Sequence, residues 1–197
     1  MTVFTLKYKN TDESLLERLG IGFSIYIASE EARIRLWKAK DKEIYLLESD
    51  RYTDEIYAGD ILRQGIILCK GVFEAAERLV QARYNNKPEL LHANDWQAAL
   101  VPVYLKTKYN EHKLFYDVAS VFAIHNLAYQ GGKDNRFEDI RFSELDIDGK
   151  HWFGLVKRDD PHGFNLMRGG IYHADKIATV SNTYAKEIMS KEYGEGL

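Results

Sequence analysis

The chain has 197 residues, 45% hydrophobic and 29% charged, with a formal net charge of −3. That is enough apolar material for a buried core, and no basic stripe is present to suit a nucleic-acid partner. Its one cysteine, Cys69, excludes an internal disulfide, and no apolar run reaches the roughly 18 residues of a membrane span.

A reducing compartment fits the lone thiol, and the amino terminus lacks the charged-then-apolar pattern of a signal peptide. The cytoplasm is therefore the expected setting. Thirteen Tyr and three Trp suit a sugar-binding surface and serve equally well as core and rim.

Residues 3–8 alternate weakly, as a strand does, and Asn10, Thr11 and Asp12 read as a turn or cap. The spacing then predicts a short helix over residues 14–19, ended by Gly20. Residues 23–28, 32–38 and 43–48 alternate apolar with polar over short turns, which predicts antiparallel strands. From Asp60 to Arg83 the period changes. Leu62, Ile66, Val72, Phe73, Ala76 and Leu79 form a helical stripe with Asp60 as N-cap, and Gly65 and Gly71 mark places for a kink. Pro88 stops this helix.

Beyond Pro88 the order is strand, helix, strand, loop, helix, strand, helix, the alternation of a parallel sheet. The fold class expected is α/β: a parallel sheet with an antiparallel β portion in the first 60 residues. Three apolar runs end abruptly in short polar side chains. The first ends in His92-Ala93-Asn94-Asp95-Trp96, the second (residues 119–124) in His125-Asn126, the third (residues 176–180) in Ser181-Asn182. In an open parallel sheet such elbows share the carboxyl edge, where ligands bind. Asp95 fits the N-cap of the helix that follows, and Pro102, deep within that helix, predicts a bend. Residues 131–162 are polar and irregular, with Asp146, Asp148, Asp159, Asp160 and Pro161. A connection of that length is functional or mobile.

Several chemistries are absent. No G-x-G-x-x-G follows a strand, and no G-x-x-x-x-G-K-[ST] or G-x-S-x-G occurs. Cys69 lies in an apolar helical stretch and reads as packing. His92 and Asp95 stand three apart, but no Cys cluster or H-E-x-x-H joins them, so no metal site is expected. What remains is His92, Asn94, Asp95, His125, Asn126, Ser181 and Asn182, a mixed donor and acceptor set suited to a ligand dense in hydroxyls. Taken singly, His92 also reads as a satisfied core histidine, and Asp95, Ser181 and Asn182 as helix caps.

The residues 92–106, HANDWQAALVPVYLK, closely resemble the H-x-H-D-W-x-x-x-L-x-P-x-Y-L segment of glycogen and starch synthases. AIHNLAYQG (residues 123–131) and GGIYHADKIATVSNTYAKEI (residues 169–188) match that family's second and third motifs, in family order. Asn94 stands where the family commonly has His. The resemblance implies the amino-terminal, Rossmann-like half of a retaining GT-B glucosyltransferase, which transfers glucose from ADP-glucose or UDP-glucose to an α-1,4-glucan. It implies catalytic places for His125 and Asp95, a substrate contact from Asn126, and no metal or other cofactor; His92, Ser181 and Asn182 are expected substrate contacts from their places at the strand ends. The family's Lys-x-Gly-Gly occurs nowhere in the sequence. The expectation is therefore one incomplete domain over residues 1–197, without its first strand and its carboxy-terminal partner domain, and inactive alone. Residues 90–91 and 121–122 are then expected to lack a neighbouring strand. Two rival readings are a non-catalytic glucan-binding or regulatory module and another GT-B sugar-nucleotide transferase.

Overall fold

Alternation in the first fifty residues becomes a mixed sheet, and the later strand–helix alternation becomes a parallel one. A computed structural model describes residues 1–56, 60–132, 142–156 and 163–197. They form two compact units, Met1–Lys87 and Pro88–Leu197. Asp159, Asp160 and Pro161 of the expected long connection lie outside the described residues. Among those described, no helix is long and apolar enough to cross a membrane.

The first unit contains β1 (Val3–Leu6), β2 (Leu16–Ile27), β3 (Glu30–Ala39), β4 (Ile44–Ser49) and α1 (Ile61–Gln81). The sheet order is β1-β4-β3-β2, with β1 parallel to β4 and the other pairs antiparallel. The expected helix over residues 14–19 is not formed. Asp12 caps only a 3-10 turn, Glu13–Leu15, through Ser14 N (2.9 Å), and Leu16 already pairs with Ala39 in β2. Pairing along a whole strand outweighs a helical preference spread over six residues.

Period-two burial puts Phe23, Ile25, Ile27, Ile34, Leu36 and Leu47 in the core. The α1 stripe is buried as well, including Leu62, Ile66, Cys69, Phe73 and Leu79, so Cys69 packs as expected. Asp60 accepts from Arg63 N (3.2 Å) as N-cap, and α1 runs unbroken through Gly65 and Gly71. Gly71 is there for approach rather than flexibility. A Cβ at that position would lie 2.2 Å from Leu47 Cδ2, so the helix rests directly on the sheet.

Glu48 alternates with Leu47 and points to the other face. Its carboxylate accepts from Arg35 Nε (2.7 Å), Trp37 Nε1 (2.9 Å) and Lys7 Nζ (3.1 Å). Lys7, almost fully buried, also reaches Glu13 at 2.8 Å and lies 4.7 Å from the Trp37 ring centroid. Burial alone would raise the pKa of Glu48; the three donors override it and hold it at about 2, against an ordinary 4.5. A depressed folded-state pKa stabilises the fold above the unfolded value, and that stability is lost as pH falls. The first unit should therefore lose up to about 3 kcal/mol between pH 4.5 and 2, measured by urea unfolding at a series of pH values. Glu48→Gln should be less stable at neutral pH and show a flatter acid limb. An unchanged limb would remove Glu48 as its cause.

The second unit holds β5 (Leu90–Asn94), α2 (Leu100–Thr107), β6 (Ala119–Ile124), α3 (Phe142–Leu145), α4 (Leu166–His173), β7 (Lys176–Thr179) and α5 (Asn182–Ile188). Its sheet is parallel throughout, in the order β5-β6-β7. The α/β class with an antiparallel portion in the first 60 residues therefore holds. Residues 121–122 do not lack neighbours: β6 is the central strand, with Val121 opposite both His92 and Lys176 and Phe122 fully buried. Residues 90–91 have a neighbour as well, Leu90 pairing with Ala119 and Leu91 with Ser120, although Leu90 is 53% exposed.

Pro102 does not lie deep within a helix. A 3-10 turn, Trp96–Ala98, comes first, and α2 begins only at Leu100, so Pro102 falls in its first turn. There its missing N–H would have had no helical acceptor. At the amino edge of the sheet, Asp175 accepts from Ser120 N (2.8 Å) and Ser120 Oγ (2.9 Å) and pairs with Lys106 (2.7 Å), tying β6, β7 and α2 together.

Candidate active site

The register decides which residues leave the sheet together. Asn94 pairs with Ala123, and Ile124 pairs with Thr179, so Asp95, His125 and Val180 emerge at nearly one level of the carboxyl edge. Ser181 follows one residue later. His92 is not at this edge. It sits in the middle of β5, exposed, two residues before the strand ends.

Asp95 does not cap the following helix; no backbone N–H of that turn reaches its side chain. Its Oδ1 instead accepts from the main-chain N–H of His125 (2.8 Å) and of Asn126 (3.2 Å), while its own N–H donates to Ala123 O (2.9 Å). Asp95 holds φ 54° and ψ −177°, a region that only glycine enters freely, at a cost of about 1–3 kcal/mol. Three bonds, one to the neighbouring strand and two to the elbow that follows it, hold it there. The carboxylate turns sideways to clamp the next elbow because that elbow offers it two N–H groups.

The loop after β6 is held at further points. Tyr184 Oη accepts from Leu127 N (2.9 Å), and Asn126 Oδ1 accepts from Ala128 N (3.1 Å). Buried Gln130 donates to Leu127 O (3.1 Å) and accepts from Asn165 Nδ2 (2.5 Å); Asn165 also caps α4 through Arg168 N (2.9 Å). Gly131 and Gly132 have φ of 60° and 110°, and a Cβ on Gly131 would lie 2.6 Å from Trp96 Cε3. The loop therefore lies on Trp96 and α4. The His125 ring remains exposed, with Nε2 at 3.0 Å from Asn94 Oδ1.

The third elbow contributes differently. Ser181 caps α5 through Tyr184 N (3.0 Å), and Asn182 is the exposed first residue of that helix. The structure thus brings together Asn94, Asp95, His125 and Asn126, adds Tyr184, places Ser181 and Asn182 beside them at the helix start, and leaves His92 apart. Tyr184 and Gln130 escape a sequence reading because each has a partner far along the chain, Tyr184 the main chain of Leu127 and Gln130 the side-chain amide of Asn165. The only local sign of Tyr184 is its position three residues after a cap.

The loop carrying the exposed His125 stands at the carboxyl edge of a parallel sheet, the edge at which open α/β folds generally bind ligands. The family model described as the starch synthase catalytic domain matches residues 1–197, and the chain belongs to that family. It is 40% identical over 166 residues to the glycogen synthase of Fervidobacterium nodosum, covering 80% of this chain and 31% of that protein. It is 34% identical over 194 residues to the glycogen synthase of Thermotoga petrophila, covering 92% of this chain and 37% of that protein. The fold is shared with the catalytic domain of starch synthase IV from Arabidopsis thaliana, solved bound to ADP and acarbose. The TM-score is 0.80 at 22% identity, over 100% of this chain and 41% of the other. The chain spans about a third of the length of the glycogen synthases it matches.

Proposed function

We propose that this chain forms part of the catalytic cleft of a glycogen or starch synthase, which adds glucose from a nucleotide-glucose to the non-reducing end of an α-1,4-glucan. The observation that carries the reading is the clamp of Asp95 on the main chain of His125 and Asn126. It holds an exposed imidazole still at a strand end, inside the motifs that run in family order.

In this reading His125 meets the hydroxyls of the transferred glucose and Asp95 works one step back, holding the loop. Asn126 has its side-chain oxygen committed to Ala128 N, so its amide NH2 is what remains for a ligand. Ser181 and Asn182 border the cleft, and His92 contributes least. The donor is a substrate and no metal is invoked. A carboxy-terminal GT-B domain would supply the cations that meet the leaving diphosphate, an electrostatic task worth several kcal/mol. The setting is the cytoplasm, where nucleotide sugars are made.

The deciding experiment uses the full polypeptide that the gene encodes. It should incorporate labelled glucose into glycogen from ADP-glucose or UDP-glucose, and a comparison of the two donors names the nucleotide. Incorporation from neither, with glycogen still bound, would replace this reading by a glucan-binding module.

A further inference from the structure

The His125 ring is held through one of its two nitrogens. Nε2 lies 3.0 Å from Asn94 Oδ1, and an amide oxygen has lone pairs but no proton to give. The contact is a hydrogen bond only if the proton of the neutral imidazole sits on Nε2. Nδ1 is then a bare acceptor, and among the described residues it has no partner on an exposed ring. Asn94 is the last residue of β5, and the next residue, Asp95, accepts from the backbone N–H of the same histidine. Two consecutive residues thus hold His125, one by its main chain and one by its ring.

We propose that Asn94 is a positioning residue that locks His125 as the Nε2–H tautomer and leaves Nδ1 as the acceptor presented to a ligand hydroxyl. The identity of residue 94 matters. A histidine at this position could offer Nε2 either a lone pair or an N–H and so would select no tautomer by itself. An asparagine that presents its oxygen selects one. A ring locked in this way accepts from a neutral hydroxyl and has no outward N–H for an anionic oxygen. That places a sugar hydroxyl, rather than a phosphate, at Nδ1. The hydroxyl assignment rests on the function proposed above; the tautomer does not.

The test is long-range proton–nitrogen NMR on the 15N-histidine-labelled chain, at a pH where the imidazole is neutral. The expected result is a protonated-type nitrogen signal at Nε2, a bare-type signal at Nδ1, and an Nε2–H proton that survives exchange with water. In Asn94→Leu that proton should vanish and the two nitrogen signals should move toward the averaged values of free histidine. Asn94→Asp, which keeps an acceptor oxygen, should restore the lock. A proton on Nδ1 in the wild type would overturn the proposal, as would the same His125 signals in Asn94→Leu. If Asn94→Leu does not fold, the wild-type spectrum and Asn94→Asp decide. Maltohexaose is then added: a shift at Nδ1 supports the hydroxyl assignment, and none with the tautomer intact overturns that assignment alone. Failure of glucose transfer by the full-length enzyme would leave the tautomer result standing.

Discussion

In the full-length protein, His125→Ala is expected to lower kcat about 100- to 1000-fold while the melting temperature stays within about one degree of wild type. The first figure corresponds to about 2.7–4 kcal/mol, the loss of one fixed hydrogen bond to the transferred sugar that is stronger in the transition state than in the ground state. The second follows from exposure. The ring is exposed and, among the described residues, its one side-chain hydrogen bond is to Asn94, also exposed, and such surface changes stay near ±0.5 kcal/mol. The measurement is steady-state transfer of labelled glucose to glycogen beside a thermal melt. Normal turnover would reduce His125 to a surface residue, and a large fall in melting temperature would make it structural.

The opposite balance is expected at Asp95, where stability and activity should fall together. Asp95→Ala removes two charge-assisted bonds to the main chain of His125 and Asn126 and keeps the unfavourable φ of 54°. A loss of roughly 2–4 kcal/mol is expected, read as a lower urea midpoint, together with a transfer rate about 100-fold down because the imidazole is no longer held in place. Asp95→Asn keeps an oxygen acceptor and should recover most of both. Asp95→Gly separates the two terms. It relieves the backbone strain, worth about 1–3 kcal/mol, without restoring the clamp, so it should be more stable than Asp95→Ala and no more active. If Asp95→Ala melts normally and changes only KM, Asp95 touches the ligand directly and is no clamp.

The helix over residues 14–19 and the cap at Asp95 failed for related reasons. Ser14–Leu19 contains good helix formers, but only the partner strand β3 decides whether Leu16 pairs or coils. Asp95 precedes a helical turn, as a cap would, yet the acceptor is taken by donors 30 and 31 residues along the chain. Ser181 met no such competition. Among the described residues its hydroxyl accepts from Tyr184 N, capping α5 as its local sequence implies.

The sequence by itself determined the antiparallel strands of the first unit, the parallel sheet of the second, and the three polar strand ends, because apolar periodicity and turn residues act over a few neighbouring positions. The motif order pointed to the family for the same reason, being linear. Only the tertiary structure decided what the polar residues do. It took His92 off the edge by strand register, turned Asp95 from a cap into a clamp, brought Tyr184 to Leu127, and set Asn94 against the ring of His125. Each of these contacts joins groups some 30 to 57 residues apart. A hydrogen bond over that separation exists only after the sheet has brought the strand ends side by side.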